Sequence, residues 1–345
     1  MKAIKRRGWP MSTPVALKVS LLVMAAALLA SCASAPVPVS RTSQADDQLS
    51  AGAEEYQKGN YAAALAKFTD ALNLSTSVDY RKGMAEASND IAAVHLKQGK
   101  YNEALINSER ALILYQDIGD TQGAATAMLN LGAAYAALDD MEKATEYYEK
   151  SLNEAEKNNL QLVKAKALNN LGLLAKASGD SKKARDFYES SLKINQAEGN
   201  DAGVANNLSN LGTLSLENGG ADAALDYFKR SLEIDKKLEA SASIALDIFN
   251  LASAFHAKQD YRNALQYYGQ ALSIFDLNSD EPRIAESLYR IGQVNEKLGD
   301  AQTARESYNA ALKVATAAHM AQLKQEIQSK LDALAKEEIS QTPAR

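Results

Sequence analysis

Residues 130–152 read NLGAAYAALDDMEKATEYYEKSL, and two helical faces lie in that one stretch and its approach. Ala144, Tyr148, Ser151 and Leu152 are separated by four, three and one, which places them on one side of an α-helix. Met128, Leu131, Gly132 and Tyr135 form a second such face just upstream. A short turn separates the two. Its counterparts elsewhere are Gly followed by Asn, Lys or Asp, as in Gly59-Asn60, Gly99-Lys100, Gly179-Asp180 and Gly299-Asp300. Gly permits a left-handed helix C-terminus, and Asp or Asn suits the start of the next helix.

Working outward, the stretch recurs with a period of 40 residues. Alanine returns at Ala64, Ala104, Ala144, Ala184, Ala224, Ala264 and Ala304; leucine at Leu72, Leu112, Leu152, Leu192, Leu232, Leu272 and Leu312. Between them stand Phe68, Tyr148, Tyr188, Phe228, Tyr268 and Tyr308, with Ser108 breaking the aromatic column. Upstream runs Ile91, Leu131, Leu171, Leu211, Leu251 and Ile291, each followed by Ala or Gly. No insertion disturbs the register. No proline occurs between Pro38 and Pro282, which permits long helices, and Pro282 falls where a first helical turn should begin.

The segments Asn-Leu-Gly-x-x-Tyr (Asn130 to Tyr135) and Ala-x-x-x-Tyr (Ala144 to Tyr148), followed by Ser151-Leu152, resemble the tetratricopeptide repeat family in a 40-residue form. The resemblance covers about residues 50–318. It implies an all-α, right-handed α-solenoid of seven antiparallel helix pairs over 48–319, with a capping helix over 320–338 and a disordered tail over 339–345. The cap carries Leu323, Ile327, Leu331 and Leu334 on one face. The small and aromatic columns read as core spacers between helices. The first unit departs from the pattern, offering only Ser50-Ala51-Gly52, and His95, Ala175, Ser215 and Asn295 replace the ring found at Tyr135 and Phe255.

The first 32 residues read as an address. Val19 to Ala30 is an apolar run too short for a membrane-spanning helix of about 20 residues, and Lys2, Lys5, Arg6, Arg7 and Lys18 precede it. The run ends in Leu29-Ala30-Ser31-Cys32, which resembles the lipobox of bacterial lipoproteins. That resemblance implies a signal peptide over 1–31, lipidation at Cys32 and, through Ala33, transport to the outer membrane with the body in the periplasm. An ordinary signal peptide or an uncleaved anchor is the rival reading, and Met11 rivals Met1 as the start. Residues 32–47, with Pro36 and Pro38, read as a flexible tether reaching at most about 50 Å.

Composition narrows the chemistry. The formal charge is −5, but all five charges before residue 32 are positive, so the remaining 33 basic residues face 43 acidic ones. Such a body offers no electrostatic footprint for nucleic acid. One Cys and three His (His95, His256, His319) exclude a disulfide framework and argue against a metal centre or other cofactor. No His-Glu-x-x-His, phosphate-cradling Gly loop or Gly-x-Ser-x-Gly occurs, so no enzyme is expected.

One polar column stands out. Asp90, Asn130, Asn170, Asn210, Asn250 and Arg290 each precede the Ile/Leu-small pair. The family resemblance implies that this register faces a concave groove, where an Asn amide can both donate to and accept from an extended peptide backbone. Lys166, Asn169, Asn206 and Lys176 are candidates for the same surface, with Arg290 placed to meet a carboxylate. The amides have a structural alternative, bonding to a neighbouring helix. The expected function is therefore a membrane-anchored scaffold holding protein or peptide partners in the cell envelope. Relatives with this layout serve pilus assembly, outer-membrane protein insertion and control of cell-wall enzymes. A permanent structural subunit using the convex face or the ends is the alternative, and self-association through the terminal units is a third.

Overall fold

A computed structural model describes residues 40–341. The lipobox, Cys32 and the first half of the expected tether lie outside the described residues. Fifteen helices begin every twenty residues. The first helices of the seven pairs are α1 (Arg41–Gln57), α3 (Arg81–Lys97), α5 (Thr121–Ala137), α7 (Gln161–Ala177), α9 (Asp201–Glu217), α11 (Ser241–Ala257) and α13 (Glu281–Leu298). Their partners are α2 (Tyr61–Ser77), α4 (Tyr101–Asp117), α6 (Met141–Lys157), α8 (Ser181–Ala197), α10 (Ala221–Lys237), α12 (Tyr261–Leu277) and α14 (Ala301–Ala317). α15 (Ala321–Gln341) closes the array. Each helix packs on its sequence neighbours, and the first helices of successive pairs also touch from α1 through α11. The result is an all-helical solenoid.

Two boundaries differ from the sequence reading. Residues 41–47 are helical rather than tether, because Ser40 caps α1 by accepting from the Ser43 amide at 3.1 Å and Ala45 is buried. Polar composition hid this turn, since Ala45 is the sole apolar residue there. The terminal helix likewise runs to Gln341, past the expected end at 338.

Every turn uses one device. One residue in each turn has positive φ: Gly at 59, 99, 119, 179, 199, 219 and 299, and Asp79, Asp139, Asn159, Glu239, Gln259, Ser279 and His319 at the others; it follows the helix C-cap everywhere except at Gly299, which is the C-cap itself. The left-handed residue lets the chain reverse within three residues. Asp120, Asp140, Asp180, Asp260, Asp280 and Asp300 then accept from the backbone three residues on, capping the following helix. Pro282 occupies the first turn of α13, as its position predicted.

The small and aromatic columns meet each other. A Cβ on Gly132 would stand 2.5 Å from the Tyr148 ring, on Gly212 2.5 Å from Phe228, and on Gly292 2.5 Å from Tyr308. Gly52, in the unit that looked defective, meets Phe68 at the same 2.5 Å, so the first pair is built like the rest. Ala92 stands in this column where its partner is Ser108 rather than a ring. Tyr268, opposite Ala252, packs edge-on against Phe249 at 5.2 Å instead. The cap seals the end: Ile327 and Leu334 are buried with Tyr289, Tyr308 and Ala315. Among the described residues no helix is long and apolar enough to cross a membrane.

Candidate functional site: an asparagine-lined pocket on the first helices

A pocket of about 500 Å³ opens across α5, α7 and α9, with the end of α8 as its floor. It brings together Asn130, Lys166, Asn169, Asn170 and Asn206 of the expected groove residues. Asn210, Asn250, Lys176 and Arg290 are not among its lining. Lys166 is the single charged side chain in the lining, and it projects to solvent without an ion pair.

The asparagine column is not uniform. Asn130 Nδ2 donates to Asn89 Oδ1 at 2.9 Å, Asn210 Nδ2 to Asn169 Oδ1 at 2.8 Å, and Asn250 Nδ2 to Ser209 Oγ at 3.3 Å. Each bond reaches back 41 residues to the preceding first helix. These three amides thus tie adjacent units together, the structural alternative the sequence left open. The residue 41 positions before Asn170 is Leu129, whose side chain has nothing to accept. Asn170 therefore keeps its amide unpaired, facing the pocket. Opposite Arg290 the same position is Phe249; the guanidinium turns instead to Gln293 Oε1 at 3.1 Å and lies over the Tyr289 ring at 5.9 Å. Glu286 stands 3.9 Å away. Lys176 is committed to Glu217 at 2.9 Å, so it is not a free cation of the groove. Asp90, first in the column, is largely buried, and that burial pushes its carboxyl up to about 6.

The floor was missed by sequence reasoning. Asn195 Nδ2 donates to Asn207 Oδ1 at 2.7 Å, Asn207 Nδ2 to Asn169 Oδ1 at 3.0 Å, and Asn200 Nδ2 to Asn195 Oδ1 at 2.8 Å. Ser191 Oγ donates to the Ala165 carbonyl at 2.8 Å. Gly203 makes this possible, since a Cβ there would collide with Asn195 and Asn200. The signal was present: Asn195 and Asn207 stand where the preceding joint has Ala155 and Ala167, both apolar and buried. Polar residues at two facing core positions mark a buried network.

Chemically, the pocket offers amide donors, amide acceptors and one ammonium group. It holds no nucleophile beside a base, and the described residues contain no cluster of three or more metal-ligating side chains. Such a lining matches the hydrogen-bonding pattern of polar groups such as a peptide backbone.

A family profile described as tetratricopeptide repeat matches residues 83–157, 163–237 and 241–317, more than half of the chain. No curated protein matches the sequence. Among solved structures, the Rap conjugation gene regulator of plasmid pLS20 in complex with the Phr* peptide is 19% identical, with TM-score 0.64, covering 83% of this chain and 75% of that one. The apo form of RapI is 15% identical, with TM-score 0.61, covering 79% and 97%. A Rap protein complexed with competence and sporulation factor is 17% identical, with TM-score 0.61, covering 77% and 74%. At these identities the likeness is one of fold.

Proposed function

Because the chain belongs to the tetratricopeptide repeat family, we propose that it is a non-enzymatic scaffold that takes an extended peptide segment of a protein partner into the pocket on α5, α7 and α9. The observation that carries this reading is the unpaired Asn170 amide, which lines one pocket with Lys166 and Asn206 and with a hydrogen-bonded polar floor. A backbone amide of a bound segment supplies both the donor and the acceptor that Asn170 lacks, so recognition depends little on the segment's side chains. One Rap structure of the same fold is in complex with the Phr* peptide and another with competence and sporulation factor, which agrees with this use of the solenoid. The lipobox-like Leu29 to Cys32 supports the second half of the proposal: the scaffold is lipid-anchored and works in the cell envelope, facing the periplasm.

In vivo crosslinking of the full chain, beside a Lys166→Ala, Asn170→Ala, Asn206→Ala variant with unchanged circular dichroism, tests the site. A partner captured by the parent and lost by the variant supports the pocket. A partner kept by both transfers the function to the other surfaces. One observation favours that second reading, a permanent structural subunit: Ile106 and Ile113 on α4 are each 59% exposed, seven residues apart on one helix face. Fractionation of a Cys32→Ser variant tests the anchor, which predicts transfer from membrane to soluble fraction.

A further inference from the structure

The joint between the fourth and fifth helix pairs and the next joint along are built on the same positions with different chemistry. At the first, Asn195 on α8 donates an amide N–H to Asn207 on α9 at 2.7 Å. Forty residues on, the same places hold Asp235 on α10 and Asp247 on α11. Both carboxyls are buried, Asp247 to 2% exposure and Asp235 to 6%. They lie within hydrogen-bond reach of each other. Two carboxylates have acceptors only, and Asp247 Oδ2 has no partner at all. The donor that Asn195 supplies at one joint is missing from the other unless a proton replaces it.

We propose that Asp235 and Asp247 share one proton across the α10–α11 interface, and that its loss loosens the joint between the fifth and sixth helix pairs. The surroundings serve the pair only in part. Ser231 on α10 lies within reach of Asp247 but directs its hydroxyl to the Ala205 carbonyl of α9 at 3.0 Å. Ser209 on α9 accepts from Asn250 and keeps its own proton for Asp247, yet Asp247 Oδ2 stays without a partner. The remaining charged residues of α10 (Asp222, Asp226, Lys229, Arg230, Glu233, Lys236, Lys237) and Asp201 and Glu217 of α9 are exposed. On α11, His256 faces Arg290 and Lys297 of α13. On α12, Arg262 and Asp276 are exposed, Tyr261 packs on His256, Tyr267 on Phe255, and Tyr268 shares its hydroxyl with Ser253. No cation is set against the pair.

Burial raises both carboxyls from their ordinary value. The folded chain then holds a proton that the unfolded chain releases above about pH 4. Stability from the protonated pair is complete at low pH and is lost as pH rises through the folded value. A solenoid has only nearest-neighbour interfaces, so a loosened joint is not reinforced from elsewhere. Ser209 links the pair to Asn250, which carries the change into the asparagine column.

The test is thermal unfolding of the full chain and of Asp235→Asn from about pH 5 to pH 9. Asp235→Asn restores the amide donor, so the gap in melting temperature should shift in the variant's favour by roughly 2–4 °C across that range. Parallel curves for parent and variant would overturn the proposal. Should Asp235→Asn or its counterpart Asp247→Asn fail to fold, the parent alone decides. Hydrogen exchange, corrected for intrinsic rates, should show α10–α11 losing protection with rising pH relative to α8–α9; equal behaviour of the two joints refutes the shared proton.

Discussion

Asn170 and Asn210 are the same residue in the same register of adjacent repeats, yet one faces a pocket unpaired and the other is a strut between helices. Nothing in either repeat explains the difference. It comes from the preceding unit, where Leu129 stands behind Asn170 and Asn169 behind Asn210. A column read down a repeat alignment therefore identifies which side chains share a face. Which of them is free for a ligand is decided by the neighbour 41 residues away. The contrast between a uniform framework and a non-uniform column is testable from both sides.

The largest effect should come from the framework. Gly172→Val puts branched carbons where even a Cβ would stand 2.6 Å from the Tyr188 ring, and overpacking of this kind should cost about 1–3 kcal/mol by urea unfolding. Gly132→Val should cost a similar amount against Tyr148, since the two sites share one geometry. A much smaller loss at one of them would break the claim of uniformity.

Next in size is the column itself. Asn210→Ala removes a bond between part-buried amides and should destabilise by about 0.5–1.5 kcal/mol. Asn170→Ala should leave unfolding unchanged but weaken capture of the bound segment roughly tenfold, a loss of about 1.4 kcal/mol of binding. If the two variants behave alike in both measurements, the distinction drawn from Leu129 and Asn169 fails.

The smallest effect sharpens the framework side. Gln259 and Glu239 hold φ of 61° and 54° in turns where seven other repeats of the same device use Gly. Gln259→Gly should stabilise by roughly 0.5–1 kcal/mol, because a left-handed backbone is strained for a residue with a side chain. A melting temperature lowered by this change would show that the turn depends on the Gln side chain.

Much of this was legible in advance. The period, the helix pairs, the cap face of Leu323, Ile327, Leu331 and Leu334, and the role of Pro282 all follow from spacing, because helical geometry is local and the unit is copied without insertion. Gly52 was underrated because its neighbours do not spell the motif, although its meeting with Phe68 is the same as elsewhere. In the site, five of the nine groove residues named from spacing line one pocket: Asn130, Lys166, Asn169, Asn170 and Asn206. It could not separate them from Lys176, whose ammonium is taken by Glu217 in the following unit.

The sequence by itself determined the repeat, the turns and the face on which each side chain lies, since all of these depend on residues within a few turns of helix. The tertiary structure alone decided which polar groups are satisfied. A hydrogen bond between units joins residues 41 apart, and the buried pairs Asn195–Asn207 and Asp235–Asp247 join helices whose separation and tilt are set by the packed Gly and aromatic columns. Whether an amide is a strut or a ligand contact, and whether an acid keeps its proton, depends on what packing brings within about 3 Å of it.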